Sequence, residues 1–169
     1  MLGLIDRINA WVGKGVAWLV PVLILELVYD TAARYLFNAP TQWSYDISYM
    51  LYGTIFLAAA AYTLQKDKHV RIELFYDRFS PRGKALMDCL GYLVFFFPAL
   101  LALIYYGTLF AWKSWVLLET GSESMWQPPI YPFKTVLPLA SFLLLLQGLA
   151  LFIRSVHTIL QGERADGQS

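Results

Sequence analysis

Three long stretches without a charged residue constrain this chain more than any other feature of its sequence. Residues 47–65, 89–112 and 135–153 contain 19, 24 and 19 residues with no Asp, Glu, Lys or Arg. A helix needs about 20 mainly apolar residues to cross the ~30 Å hydrocarbon core of a bilayer. The three stretches therefore predict three membrane-spanning helices.

The composition agrees with a membrane protein and excludes several other classes. Of the 169 residues, 58% are apolar and 15% are charged, whereas a soluble domain has about 45–50% apolar and about 25% charged residues. These values exclude a soluble enzyme and a disordered tail. The net charge of +1 provides no basic excess for binding a nucleic acid.

A fourth, less apolar segment precedes these three, at residues 11–33. It contains Pro21 and two acidic residues, Glu26 and Asp30. A signal peptide that ends near the small residues 31–33 is an alternative interpretation. Acidic residues are unusual in a cleavage region, but a spanning helix tolerates them where they face protein. We therefore predict a first spanning helix.

The predicted fold is a single all-α integral membrane domain with four transmembrane helices. It covers residues 1–160 and is followed by a short polar cytoplasmic tail at 161–169; the spans are 11–33, 44–64, 86–112 and 135–153. Ten Lys and Arg residues lie on the side shared by both termini and the middle loop, against three on the other side. By the positive-inside rule, both termini are predicted to be cytoplasmic.

The middle loop is predicted to contain a short amphipathic helix on the inner membrane surface. Apolar residues at 72, 75, 76 and 79 follow a helical spacing. Lys66, Lys68 and Arg71 come just before or at the start of this pattern. They are candidate contacts for phospholipid headgroups.

The second outer loop, at residues 119–129, is long and polar and contains two prolines and a tryptophan. A loop of this kind is a candidate docking surface, and the alternative is an ordinary interfacial loop. Its candidate docking residues are Glu119, Glu123 and Trp126.

Three charged residues of the first span, Glu26, Asp30 and Arg34, are spaced by four and share one stripe of the helix. Asp46 lies at the start of the second span, where the helix dipole favours an anion. Glu26 is either a carrier of a proton or cation, or a group that pairs within the chain or with a partner subunit. For the other three we favour structural pairing, for example of Asp30 with Arg34 or of Asp46 with Arg34.

Small residues in the second span indicate close helix packing. Ala58–Ala61 form a run, and Gly53 lies five residues earlier on roughly the same face. In the third span, Pro98 is predicted to kink the helix because it removes a backbone hydrogen bond.

Cofactor sites are not expected. Cys89 is the single cysteine, and His69 and His157 are far apart and flank spans rather than lying within them. The chain therefore has no paired-cysteine site, no HExxH site and no pair of histidines at membrane depth to hold a haem. A membrane enzyme is correspondingly disfavoured.

Several motifs accumulate around the second and fourth spans. Asn38-x-Pro40-x-x-Trp43-x-x-Asp46 precedes the second span, and the stretch from Lys68 to Glu73, which reads KHVRIE, follows it. Trp126-x-x-Pro129, Leu137-Pro138-Leu139 and Leu146-Gln147 lie in or before the fourth span. In these motifs, and over about residues 4–160, the chain resembles the small membrane subunit, of DctQ type, of tripartite ATP-independent periplasmic (TRAP) transporters.

The resemblance implies a mechanism that lies mainly in other chains. In this family a periplasmic substrate-binding protein captures an organic acid. A large permease subunit then moves the acid inward with sodium, and the small subunit is a scaffold in the bacterial inner membrane that helps to receive the binding protein. We expect contacts with the large subunit at Glu26, Asp30, Arg34, Trp43, Asp46, Gly53, Ala58 and Ala61.

One alternative function remains at this stage. Four spans with a glutamate in the first loosely resemble small homodimeric multidrug exporters, in which Glu26 would exchange protons for cations. Those exporters are shorter, have tighter loops and lack the pattern between Trp43 and Arg71. We therefore favour the scaffold interpretation.

Overall fold

The computed structural model describes the backbone of residues 2–66, 81–122 and 124–166, and this part of the chain is almost entirely helical. Its helices in chain order are α1 (Leu2–Ala17), α2 (Leu19–Leu36), α3 (Ser44–Gln65), α4 (Pro81–Gly91), a π-helical segment (Tyr92–Phe96), α5 (Phe97–Val116) and α6 (Tyr131–Asp166). The predicted amphipathic helix at 72–79 lies outside the described residues.

Four helical stretches are long and apolar enough to cross a membrane, which confirms the predicted number of spans. They are Gly3–Leu36, Ser44–Gln65, Leu86–Val116 and Tyr131–His157. The first and third are interrupted, and each interruption precedes a proline. The sidedness of the termini stays a prediction.

The first stretch is interrupted at Trp18, between α1 and α2. Pro21 lies four residues after Ala17, so it has no N–H for the Ala17 carbonyl and its ring crowds that carbonyl. At the break, the Trp18 N–H bonds to the Gly15 carbonyl at 3.2 Å, three residues earlier rather than four, which makes a tighter turn than an α-helix. The proline thus explains why α1 ends where it does.

The third stretch contains the π-helical turn Tyr92–Phe96, directly before Pro98 in the first turn of α5. The sequence predicted a kink at Pro98. The irregularity lies one turn earlier, because Pro98 cannot donate to the carbonyl of Val94 and the backbone widens there to accommodate the missing bond.

Helix α6 is the centre of the fold. It packs against α5, α3, α4 and α1, whereas α2 packs against α3 and α1. One third of the apolar window of α6 is buried, compared with 6% for the first span and 11% for the second. Along the series α2, α3, α6 and α5 each helix packs on the next, and large apolar surfaces remain exposed.

Close helix contacts occur where glycine meets an aromatic ring. Gly53 of α3 lies against Phe133 of α6, and Gly148 of α6 lies against Phe96. Gly13 of α1 lies against Tyr62 of α3, where an added Cβ would be 2.5 Å from Cγ of the tyrosine. These glycines allow backbones to approach closely, as in other membrane helix pairs.

We predict that Gly13→Ala destabilises the fold by about 1–3 kcal/mol. The clash involves Cβ and Cγ of Tyr62, which are too near the backbone to swing aside, so α1 and α3 have to separate. The thermal unfolding midpoint of the purified chain in detergent measures the effect.

Gly15→Ala is the matched control. Gly15 is in the same helix, and a Cβ there would meet nothing within 4 Å. Alanine is the better helix former by about 0.5–1 kcal/mol, so this change should leave the midpoint unchanged or raise it. Equal losses in the two variants would contradict the close α1–α3 contact.

Candidate functional site

The acidic residue at membrane depth, Glu26, is held by two serines of the neighbouring helix. The Ser48 hydroxyl donates to one carboxylate oxygen at 2.6 Å, and the Ser44 hydroxyl donates to the other. Both serines lie in the first turns of α3, and Ser44 is buried. Glu26 therefore joins α2 to α3 with both of its oxygens engaged.

One turn further along α2, Asp30 accepts a hydrogen bond from Thr41 and pairs with Arg34 at 2.8 Å. The pairing expected from the spacing of Asp30 and Arg34 is thus present. The Arg34 side chain is 55% exposed, so the ion pair itself adds little stability. The bond to Thr41 ties the first outer loop to α2.

Trp43 completes this outer connection. Its ring stacks on that of Tyr29, with centroids 5.9 Å apart. The loop turns at Asn38, whose φ of 49° is left-handed, a conformation that asparagine tolerates better than most residues. The loop between α2 and α3 is consequently fixed at both of its ends.

Asp46 is buried inside the chain, at 5% relative exposure. Its carboxylate accepts a hydrogen bond from the Ser124 hydroxyl, whose oxygen in turn accepts the Trp126 N–H at 3.2 Å. The acid at the start of α3 therefore holds the tip of the second outer loop, which is 78 residues away in sequence.

The base of that loop is built from regular backbone hydrogen bonds. Leu118 adopts φ 47°, and the Glu119 N–H returns to the Ser114 carbonyl at 3.1 Å, which ends α5 in the pattern of a Schellman motif. The two arms pair through Gly121 N–H to the Pro128 carbonyl at 2.8 Å. The loop is thus a short hairpin rather than an extended connection.

An ion pair fixes the hairpin to α6. Lys134 Nζ is 2.5 Å from Glu119 and lies 4.0 Å from the centroid of the Phe110 ring. The hydrogen bond from Lys134 holds the pKa of Glu119 below its ordinary value of 4.5. Glu119 therefore stays ionised throughout the neutral range.

The three predicted docking residues have different environments. Glu119 is engaged with Lys134, and Glu123 lies outside the described residues. Trp126 is 49% exposed, and its neighbour Met125 is 85% exposed. The hairpin tip thus presents two apolar side chains to the outside, and Met125 was not among the predicted residues.

A second polar cluster, near the N-terminal end of α1, was missed in the sequence analysis. Asn9 donates to Gln147 at 2.7 Å, and Gln147 donates to Asp6 at 3.1 Å. Asp6 also accepts from Arg154, and its backbone carbonyl accepts from Gln65 at 2.9 Å. Asn9 and Gln147 are completely buried. The cluster fastens α1 to α3 and α6.

A signal for this cluster was available in the sequence. Asp6, Asn9 and Gly13 are spaced by three and four, and so form a polar and small stripe on one face of α1. Gln147 interrupts an otherwise apolar span. Polar side chains at such positions face protein partners rather than lipid.

The small residues expected at a subunit contact take part in packing inside this chain. Ala61 is buried, Gly53 lies against Phe133, and Ala58 is half-buried. Among the candidate headgroup ligands, Lys66 is exposed, with its Nζ 5.6 Å from the centroid of the Tyr62 ring. Lys68 and Arg71 lie outside the described residues.

We predict that Gln147→Met destabilises the chain by about 1–3 kcal/mol, because the buried Asn9 amide loses its acceptor and the partly exposed Asp6 loses a donor. The double variant Asn9→Leu/Gln147→Met should lose less than the sum of the single losses, since no orphaned amide is left. Unfolding free energies measured in detergent test this, and strict additivity would refute a coupled cluster.

Comparison with known proteins identifies a family. The sequence model of the family described as "Tripartite ATP-independent periplasmic transporters, DctQ component" matches residues 23–158. This range contains most of α2, all of α3, the outer hairpin and most of α6. No curated protein matches the chain.

Proposed function

The chain belongs to the DctQ component family of tripartite ATP-independent periplasmic transporters, and on that premise we propose that it is the scaffold subunit that braces the large permease subunit. The family is one of transporter components rather than enzymes. With its four helices that can span a membrane, the chain is a multi-pass protein of the bacterial inner membrane. Sodium-coupled uptake of an organic acid is the transport that we propose it supports.

One observation carries the scaffold role: the ionisable side chain at membrane depth, Glu26, is used to join helices. Its two oxygens accept from Ser44 and Ser48, whereas a carrier needs a polar route along which a proton or cation can move. Two cavities, of about 540 and 460 Å³, are lined mainly by apolar side chains. This arrangement favours a rigid support.

Bracing requires a surface for the partner, and α2 offers one. None of its residues is buried within this chain. We propose that Arg34 and the half-buried Ala58 contact the large subunit directly. Glu26, Asp30, Trp43, Asp46, Gly53 and Ala61 would act instead by fixing the shape of the surface, since their contacts are internal.

Docking of the periplasmic substrate-binding protein is proposed for the outer hairpin. The hairpin is held in one position by three contacts. These are the backbone hydrogen bond from Gly121 to Pro128, the Glu119–Lys134 ion pair and the Asp46–Ser124 hydrogen bond. A preorganised loop loses little conformational freedom on binding. At the opposite membrane surface we propose that Lys66, together with Lys68 and Arg71, contacts phospholipid headgroups.

The scaffold role is tested by separating this chain from its partners. Vesicles that contain the large subunit, this chain and the binding protein should accumulate the organic acid in response to a sodium gradient. Vesicles that contain this chain alone should move no solute. Transport by this chain alone would reject the scaffold role.

We predict that Glu26→Gln retains most of the uptake in the complete transporter, because a glutamine still accepts from one serine. Initial rates of uptake measure the effect, with Asp30→Asn as the control for a change of charge on the same helix. A homodimeric exporter that uses Glu26 for proton exchange would lose transport completely. Complete loss would therefore favour that alternative.

We predict that Trp126→Ala raises the concentration of binding protein required for half-maximal uptake by about tenfold, the loss expected for one interface anchor. The amount of large subunit that co-purifies should not change. Asp46→Ala should act in the same direction more weakly, because it removes the acceptor of the Ser124 hydrogen bond that holds the tip. Unchanged titrations in both variants would exclude the hairpin as a docking surface.

A further inference from the structure

We propose that α1 carries a binding site for the headgroup of an anionic phospholipid, formed by Arg7, Trp11 and Lys14, which we call the α1 headgroup site. The site lies before residue 23, where the match to the family begins. It does not depend on the scaffold role, because its ligand is the membrane itself.

The three residues lie together on the side of α1 that faces away from the rest of the protein. Trp11 follows Arg7 by four residues and precedes Lys14 by three, so their side chains share one side of the helix. All three are exposed, Trp11 to 82%. Asn9 and Gly13, which contact α6 and α3, are buried on the other side. The open side of α1 therefore presents two cations and an indole.

This part of α1 is level with the end of a spanning helix. The side chain of Gln65, the last residue of α3, donates to the Asp6 carbonyl, and Tyr62 lies against Gly13. The 22 residues of α3 measure ~33 Å, close to the ~30 Å thickness of the hydrocarbon core. The segment from Asp6 to Gly13 therefore lies near one boundary of the core, where the lipid phosphates begin.

The cations at this boundary differ from those elsewhere in the described chain. Other cationic side chains have an acid nearby within the chain: Arg34 with Asp30, Arg154 with Asp6, and both Lys134 and Lys113 with Glu119. Arg7, Lys14 and Lys66 have no acidic partner among the described residues. All three lie at the end of the helices marked by Gln65, so their charges require a counter-charge from outside the described chain.

The headgroup of an anionic phospholipid supplies that counter-charge at the right depth. Lys and Arg close to a membrane surface attract anionic lipids, and tryptophan is enriched at the same level. The side chains of a helix tilt toward its N-terminus. Lys14 therefore extends toward the boundary at Gln65, and its ammonium group reaches the phosphates while its aliphatic stem stays along the helix.

The same chemistry disfavours the large permease subunit as the occupant. Lysine is depleted from the buried core of protein interfaces, because an ammonium group is costly to desolvate. At the membrane boundary the ammonium group of Lys14 remains hydrated. Leu4 and Ile8, which precede Trp11 by seven and three residues, are both exposed. They extend the apolar surface beside the cations, along which an acyl chain of the bound lipid lies.

Lipid titration of the complex between this chain and the large subunit tests the site. Native mass spectrometry measures binding of phosphatidylglycerol, which is anionic, and of phosphatidylcholine with the same acyl chains, which has no net charge. The test variant is Arg7→Gln/Lys14→Gln. The matched control is Lys113→Gln, which removes an exposed cation near the opposite end of the helices.

The test variant should bind phosphatidylglycerol more weakly by about fivefold for each cation removed, with little change for phosphatidylcholine. Arg7→Lys/Lys14→Arg keeps both charges and should retain the affinity. An unchanged affinity in the test variant, or an equal loss in Lys113→Gln, would overturn the site, since the attraction would then not reside at these residues.

Photo-cross-linking identifies the occupant directly. The cross-linking amino acid p-benzoylphenylalanine replaces Trp11 in the complex, in a membrane that contains phosphatidylglycerol. The expected product is this chain with the added mass of one phospholipid, and Arg7→Gln/Lys14→Gln should reduce its yield. A cross-link to the large subunit in place of the lipid adduct, or the absence of a lipid adduct, would overturn the proposal and leave the scaffold role intact.

Discussion

The hydrocarbon interior of the membrane provides no hydrogen-bond partners, and the rest of this structure depends on that constraint. Every polar group there has to be satisfied by the chain itself or by a neighbouring protein. Glu26 is satisfied by Ser44 and Ser48, and Asn9 donates to Gln147. These bonds connect different helices, so the same interactions that satisfy polar groups also hold α1 and α2 to the remainder of the fold.

The two polar clusters lie at opposite ends of the helices and fix different parts. The cluster around Asp6 fastens α1 to α3 and α6, and the bonds of Glu26 and Asp30 fasten α2 and its loop. Since Pro21 interrupts the helix between them, each half requires its own attachment. A chain fixed at both ends is suited to remain still while a partner moves.

Asp46 shows how a short sequence motif can act over a long distance. The acid that follows Trp43 by three residues is buried, and it holds the outer hairpin through Ser124. The hydrogen bond between Ser124 and Asp46 therefore holds the proposed docking tip against the start of the second span. This arrangement gives a physical reason for an acid at this position that does not involve transported ions.

The sequence by itself determined the fold class, the number of spans and the family resemblance, and it offered the Asp30–Arg34 pair as one of two possible pairings. These follow from local properties, namely runs of apolar residues, motif spacing and charges one helical turn apart. Only the tertiary structure decided that Asp46 reaches Ser124, that Gln147 joins Asn9 to Asp6, and that Gly53 and Ala61 pack within the chain. Such partners are up to 141 residues apart, and the pairing of distant helices depends on how their surfaces fit, which the spacing of residues along one helix does not encode.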